Sequence, residues 1–198
     1  EATVSSASLS FNDTTWNTAQ QITVTGVDYI TVDGDVSVTI TASQFSASAG
    51  STYTDGTLNL TNTDDDTAGF TVTESGGTTV TDETGTTDTF TVVLDAQPVT
   101  DVVFTVTSSD PGEATVDQAT LTYTNTNWNT AQTVTVTGID DATLVDGTQP
   151  STVTISVDDA ASNDAFDPLA DQTVTASNTD DDTAGFTVTE SGGTTVTD

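Results

Sequence analysis

Residues 89–106 read Thr-Phe-Thr-Val-Val-Leu-Asp-Ala-Gln-Pro-Val-Thr-Asp-Val-Val-Phe-Thr-Val. Phe90, Val92 and Leu94 alternate with Thr89, Thr91 and Val93, and Val102, Phe104 and Val106 repeat the pattern. A period of two is that of a strand with one face buried; a helix would bring its apolar residues back every three or four positions. Working outward, the alternation returns at Leu121 and Tyr123, at Val134 and Val136, at Val153, Ile155 and Val157, and at Val174 and Ala176. Toward the start it reappears at Leu9 and Phe11, Ile22 and Val24, Val36, Val38 and Ile40, and Leu58 and Leu60. Thr fills most intervening positions, where a β-branched polar residue suits a solvent-facing side. Asp33-Gly34, Asp55-Gly56, Gly76-Gly77, Pro111-Gly112 and Asp146-Gly147 supply turns between the runs. No helical pattern exceeds a single turn. The sequence predicts an all-β protein of tandem antiparallel β-sandwiches, with about seven or eight short strands in each.

The word "tandem" rests on an internal repeat. Residues 62–82, NTDDDTAGFTVTESGGTTVTD, recur letter for letter at 178–198, a shift of 116. Residues 13–28 (DTTWNTAQQITVTGVD) match 125–140 (NTNWNTAQTVTVTGID) at 11 of 16 positions with a shift of 112, so a four-residue insertion falls between Asp140 and Asp180. Glu1-Ala2-Thr3-Val4 likewise answers Glu113-Ala114-Thr115-Val116. The expected division is the later part of one sandwich at 1–66, a complete sandwich at 67–182, and the opening strand or strands of the next at 183–198. The sequence reads as a window out of phase with its repeat, cut from a longer array.

The chain carries 31 acidic residues and no Lys, Arg or His, for a formal charge of −31. With nothing to neutralise phosphates, nucleic acid is excluded as a partner, and an anionic membrane surface falls with it. No apolar run is long enough to span a bilayer. Cys is absent, so neither disulfides nor thiolates contribute. That is compatible with export, because a metal can do the stapling instead. Trp16 and Trp128 occupy equivalent turns (TWNTAQ, NWNTAQ). Each is read as a packing residue over the end of the core, with a platform for a sugar ring as the competing role.

The carboxylates cluster. Asp64-Asp65-Asp66 and Asp180-Asp181-Asp182 follow the last strand of each repeat; Asp140 and Asp141 follow the strand at 133–137, with Asp146 five residues on. The first copy has Asp28, then Asp33-Gly34-Asp35, and Glu83 precedes the strong strand that begins near Thr89. Three consecutive carboxylates in a chain without basic side chains cannot relieve their repulsion by ion pairing. At ~4 Å and an effective dielectric near 20, two like charges cost about 4 kcal/mol. Oxygen ligands without His or Cys point to a hard cation, and calcium accepts the irregular coordination that loop carboxylates offer. Two blander readings are acidity for hydration in salt and the ordinary preference of Asp for turns. Both predict dispersed acids, whereas these gather at strand ends.

Order and spacing add a resemblance. An acidic strand start (TDETGTTDTFTVVL), a TLTF-like strand (ATLTYT, 119–124), a TVTV strand ending in paired Asp before a DG turn (TVTVTGIDDATLVDG) and a closing triplet (NTDDD) together resemble the Calx-beta domain of large bacterial surface proteins. The likeness covers the whole second copy and the matching part of the first. It implies an immunoglobulin-like sandwich and Ca2+ at the domain end. The implied ligands are Glu83, Asp140, Asp141, Asp146, Asp180, Asp181 and Asp182, and, in the first copy, Asp28, Asp33, Asp64, Asp65 and Asp66. Glu74 and Glu190 (FTVTESGG) compete with Glu83 as the early acidic ligand. Tyr29 stands where the second copy has Asp141, and Thr148 where the first has Asp35. Neither the glycine-rich calcium nonapeptide nor the EF-hand spacing occurs.

These features predict no cofactor beyond Ca2+ and an extracellular, cell-surface protein. Its function is a calcium-stabilised spacer of a long adhesin, stiffened at the junctions between domains. Its partners are neighbouring copies of the same repeat, in cis or head to tail. The alternatives are a subunit of a self-assembling extracellular filament, formed by strand donation, and a carbohydrate- or ice-binding module suggested by the TxT runs. An enzyme is not expected: no His, Cys or Lys can serve as base or nucleophile, and no G-x-S-x-G elbow occurs.

Overall fold

A computed structural model describes residues 1–44, 53–141, 145–190 and 192. Among them the chain is all-β; the only helical turn is a three-residue 3₁₀ segment at Ser75–Gly77. The first copy supplies β1 (Ala2–Val4), β2 (Val24–Gly26), β3 (Thr31–Val32), β4 (Val36–Ala42) and β5 (Gly56–Asn62). Then follow β6 (Phe70–Glu74), β7 (Thr79–Asp82), β8 (Thr87–Leu94), β9 (Gln97–Pro98), β10 (Val102–Ser108), β11 (Ala114–Val116), β12 (Thr120–Tyr123), β13 (Gln132–Gly138), β14 (Gln149–Val157) and β15 (Gln172–Thr179).

From Phe70 to Thr179 the strands form a sandwich. One sheet runs β12-β10-β14-β15-β7 and the other β11-β13-β8-β6. Their pairings are antiparallel except one: β15 and β7 lie parallel, with Ala176 opposite Thr79 and Thr179 opposite Asp82. The exception follows from a sheet switch. β6 pairs with β8 in the four-stranded sheet, and the chain then turns at Ser75-Gly76-Gly77 to place β7 in the other. Gly76 and Gly77 take φ of 68° and 84°, the left-handed region that a side chain disfavours.

The alternating residues of the sequence meet between the sheets. Phe90, Val92, Val134 and Val136 from one face Phe104, Leu121, Tyr123, Val153, Ile155, Val174 and Ala176 from the other, each 0–1% exposed. Burying an aliphatic or aromatic side chain of this size contributes about 1.5–3 kcal/mol. Phe70 and Phe104 pack with their rings tilted by 50° and their centroids 4.6 Å apart, and Phe104 meets Tyr123 edge-on at 6.0 Å. The Tyr123 hydroxyl crosses the core and donates to the Val92 carbonyl at 2.5 Å, tying the sheets together. Burial pushes its pKa up to about 12. Trp128 packs against this core, in keeping with a covering role, whereas Trp16 in the same motif is 71% exposed.

The first copy repeats parts of this plan. β1 pairs with β2 as β11 does with β13, Ala2 opposite Gly26 and Ala114 opposite Gly138. β4 pairs with β5 as β14 does with β15. Leu9 and Phe11, expected to form a strand, do not: their counterpart β12 pairs with β10, and the described residues of the first copy contain no strand in that place. Phe11 is 53% exposed as a result. Residues 183–190, expected to begin with a strand, also run without one. Phe186–Glu190 has the letters of β6, but among the described residues no strand pairs with it as β8 does with β6. Phe186 is 90% exposed where Phe70 is 6%. The remainder of that expected strand region, Ser191 and 193–198, lies outside the described residues.

Candidate metal centre at the strand-end pole

Register brings the acids together. β7 and β15 run parallel, so Glu83 and Asp180 leave their strands side by side, and the Glu83 amide donates to the Thr179 carbonyl at 3.1 Å. β14 enters beside the end of β15, with Gln149 opposite Asn178, which carries the Asp146-Gly147 turn to the triplet. There the Gly147 and Asp182 amides donate to the two oxygens of Asp180 at 2.8 and 2.7 Å. These two bonds hold the Asp180 pKa below its ordinary value. β13 ends at Gly138 and delivers Asp140 and Asp141 to the same pole.

Three sets of carboxylates result: Glu83 with Asp140 and Asp181, Glu83 with Asp180 and Asp182, and Glu113 with Asp141 and Asp146. Within each set, one oxygen per residue lies within 4.8 Å of the others. Glu83 is the focal group. It is 3% exposed, and neither of its oxygens has a hydrogen-bond partner. Burial raises its pKa; the Asp181 backbone amide, close by but outside hydrogen-bonding geometry, opposes the rise, and the charges of Asp180, Asp141 and Asp146 add to it. Asp182 shares this character. Its Oδ2 is buried without a partner, and its pKa is raised by burial and then by Asp140, Asp180, Asp181 and Asp141. Glu74, the competing early ligand, is engaged elsewhere, accepting from the Thr79 hydroxyl at 2.8 Å.

Beneath the acids sits an amide clamp. Asn178, fully buried, donates to Glu113 Oε2 at 3.3 Å and to the Ile139 carbonyl at 3.0 Å, and accepts from the Thr81 hydroxyl at 3.1 Å. It joins β15, β7 and the segments flanking β11 and β13. The clamp explains a glycine: a Cβ on Gly138 would run into Asn178 Oδ1 and the Asp82 carbonyl. The first copy repeats it, with Asn62 donating to Glu1 Oε2 at 3.3 Å and to the Val27 carbonyl at 3.0 Å, and with Gly26 pressed against Asn62.

The first copy's acids line a cleft of about 410 Å³ that includes Asp28, Asp33, Asp64 and Asp65. Asp28, Asp65 and Asp66 converge within 4.8 Å, and Asp66 Oδ2 is buried without a partner. Burial raises the Asp66 pKa, followed by Asp64, Asp28, Asp65 and Asp33. Asp64 plays the part of Asp180, accepting from the Asp66 and Gly34 amides at 3.0 and 2.7 Å, and its pKa is lowered accordingly. Asp33 borders the cleft and belongs to none of the converging sets. Among the described residues the first copy thus has one convergent set where the second has three.

Glu113 is the member that the motifs do not single out. Its trace in the sequence is the pairing of Glu1-Ala2-Thr3-Val4 with Glu113-Ala114-Thr115-Val116, an acid in the same place of both copies. Chemically, the pole offers many carboxylate oxygens, part of them desolvated, with no basic side chain in the chain to balance them. A buried carboxylate left without a partner costs several kcal/mol. The donor set fits a hard divalent cation and fits no thiolate- or imidazole-seeking metal.

No family profile and no curated protein sequence matches the chain. Solved structures resemble it distantly. SSP-19, an MSP-domain protein-like family member of Caenorhabditis elegans, is 17% identical, with a TM-score of 0.36 over 55% of this chain and 97% of its own. The E. coli chaperone DraB is 7% identical, with a TM-score of 0.39 over 59% of this chain and 58% of its own. Domains 4 and 5 of the S-layer protein SbsC are 19% identical, with a TM-score of 0.36 over 63% of this chain and 59% of theirs. At these identities and scores the likenesses carry no argument about activity or partners. The class is that of an all-β sandwich protein with an acidic strand-end pole. Among the described residues no helix is long and apolar enough to cross a membrane.

Proposed function

We propose that this chain is a calcium-stabilised structural repeat of a long extracellular surface protein, of the Calx-beta type, whose acidic poles stiffen the array. The observation that carries this reading is Glu83, a buried carboxylate with both oxygens unpartnered, facing Asp140, Asp180, Asp181 and Asp182. Those five residues would hold one part of the ion set and Glu113, Asp141 and Asp146 another; Asp28, Asp65 and Asp66 would hold the first copy's. Bound calcium supplies the positive charge that the chain lacks. No reaction is assigned, since the pole offers carboxylates alone.

Calorimetric titration with calcium, paired with thermal melting in calcium and in chelator, tests the reading. At about 100 times its dissociation constant, an ion adds about 2.7 kcal/mol of stability per site. Glu83→Gln is expected to abolish most of that gain while leaving the chelated protein as stable as before or more so, because it removes a buried charge. Equal melting temperatures in calcium and chelator for the wild type would sink the proposal.

A filament built by strand donation draws support from one feature: Phe186 and Val188, in a segment spelled like β6, are 90% and 77% exposed. Uniform fibres of purified chain in electron micrographs would favour that reading.

A further inference from the structure

Two stretches of the chain spell Asn-x-Thr, at Asn12-Asp13-Thr14 and Asn59-Leu60-Thr61. In an exported protein this triplet is the acceptor of an N-linked glycan, and its place is a surface loop. The structure treats the two differently. Asn12 is exposed and opens the turn that leads to Trp16. Its Oδ1 collects four donors: the amides of Thr14 and Thr15 at 2.9 and 3.0 Å, and the hydroxyls of the same residues at 2.8 and 3.1 Å. All four fall on the oxygen, and none of the described bonds of Asn12 engages Nδ2.

That distribution matters chemically. An amide nitrogen is a weak nucleophile, because its lone pair is delocalised into the carbonyl. Donors gathered on the oxygen stabilise negative charge there, and so ease removal of a proton from Nδ2 by an outside base. Asn59 lacks this setting. It sits inside β5, and its Oδ1 accepts from the Thr39 hydroxyl at 2.9 Å. Thr61 follows two residues along the same strand face, about 6.7 Å further on at the usual rise.

The second copy shows that the turn itself does not require the arrangement. Thr124 and Asn127 stand there for Asn12 and Thr15, and the staple is reversed: Asn127 Oδ1 accepts from the Thr124 amide and hydroxyl at 2.5 and 3.0 Å. Both versions close the same turn, the Thr15 amide on the Asn12 carbonyl at 3.1 Å and the Asn127 amide on the Thr124 carbonyl at 3.3 Å. Exchanging Asn and Thr between the two ends keeps the staple. Only the first-copy order also sets a carboxamide two residues before a threonine whose hydroxyl bonds to it.

We propose that Asn12 is the attachment site of an N-linked glycan, with Thr14 as the residue that activates its carboxamide. In the transfer, Nδ2 bonds to the anomeric carbon of a sugar carried on a lipid pyrophosphate. The bond from that carbon to the pyrophosphate oxygen breaks, the lipid pyrophosphate leaves with the electron pair, and a base of the membrane transferase takes the Nδ2 proton. The sugar then stands beside Phe11 and Trp16, apolar side chains that this turn leaves exposed. The proposal takes from the function above only that the chain is exported, and it is independent of the cation.

The test uses the whole chain, secreted from a host whose export pathway carries an N-glycosylating transferase. Intact mass and peptide mapping after enzymatic deglycosylation read the occupancy of each site. Occupancy at Asn12 is expected to exceed that at Asn59 at least tenfold. Asn12→Gln should remove the glycan and Asn59→Gln should leave it unchanged. Thr14→Ser should keep it and Thr14→Ala should lose it, a comparison that differs by one hydroxyl and spares the staple to Thr15. An unmodified Asn12, in a host that glycosylates a secreted control protein, would overturn the proposal, as would equal occupancy at Asn59. Neither result bears on calcium binding, so the two readings fail separately.

Discussion

Asn178 shows how much one side chain does at the acidic pole. Replacing it with Ala leaves the buried Thr81 hydroxyl and the part-buried Ile139 carbonyl without their partner, and a buried group so orphaned costs about 1–3 kcal/mol. Asn178→Ala should therefore lower the urea midpoint by an amount that calcium restores only in part, since the clamp lies below the ion ligands rather than among them. Titration gives a second prediction. Glu83, Asp66 and Asp182 have raised pKa values in the folded protein, so folding takes up protons. The resulting stability is full below the ordinary carboxylate value and fades as pH rises through the raised values. Asp64 and Asp180 act oppositely, contributing above 3.8 and losing that contribution as pH falls through their lowered values. In chelator, melting temperature should climb as pH falls from above the raised values toward the ordinary carboxylate value and drop again as pH falls on through the lowered values of Asp64 and Asp180. In saturating calcium the climb should vanish, because the cation already does the proton's work. Glu83 was legible as an acid ahead of a strong strand. Glu113 was not, because its proximity to Asp141 and Asp146 is made by the register of β11 on β13 and leaves no local spacing to read.

At the level of strands, the second copy was almost wholly legible, because each strand buries one face and so shows its period. Phe90, Val92, Val134, Val136, Val153 and Ile155 were placed by alternation alone, and all are fully buried. Leu9 and Phe11 carry the same alternation without forming a strand: a pattern states which face would be buried, and a neighbouring strand must still exist to pair with. The β6–β7 sheet switch was announced only by Gly76-Gly77, and the parallel pairing it produces left no mark on the apolar pattern. β3 was hidden more deeply, since Ile30 and Val32 sit among acids in what reads as a loop, and their partner lies in the other copy. One element-scale prediction follows from the hydroxyl that spans the core. Tyr123→Phe keeps the ring against Phe104 but strips the Val92 carbonyl of its donor. It should cost about 1–3 kcal/mol in denaturant unfolding, independently of calcium. A calcium-dependent cost would show that the pole and the core are coupled.

Across the whole molecule, the same letters meet two fates. Phe70 lies in the core against Phe104, and Phe186, in an identical stretch, stands in solvent. Phe70→Ala should destabilise this chain by about 3–5 kcal/mol, whereas Phe186→Ala should change its stability by no more than about 0.5 kcal/mol. Comparable losses for the two would mean that the second stretch is paired in solution. The underlying reason is that β6 is held by β8, which begins thirteen residues after β6 ends. If the proposed function holds and a chain of such repeats emerges into the medium, each opening segment must wait for residues not yet delivered before it can become a strand. The acids that follow each sandwich come out just ahead of that waiting segment, so one unit can be finished and fastened while the next is still slack. An array made this way would mature as a travelling front, one repeat behind the point of emergence, its pace set by delivery and by the calcium it meets outside.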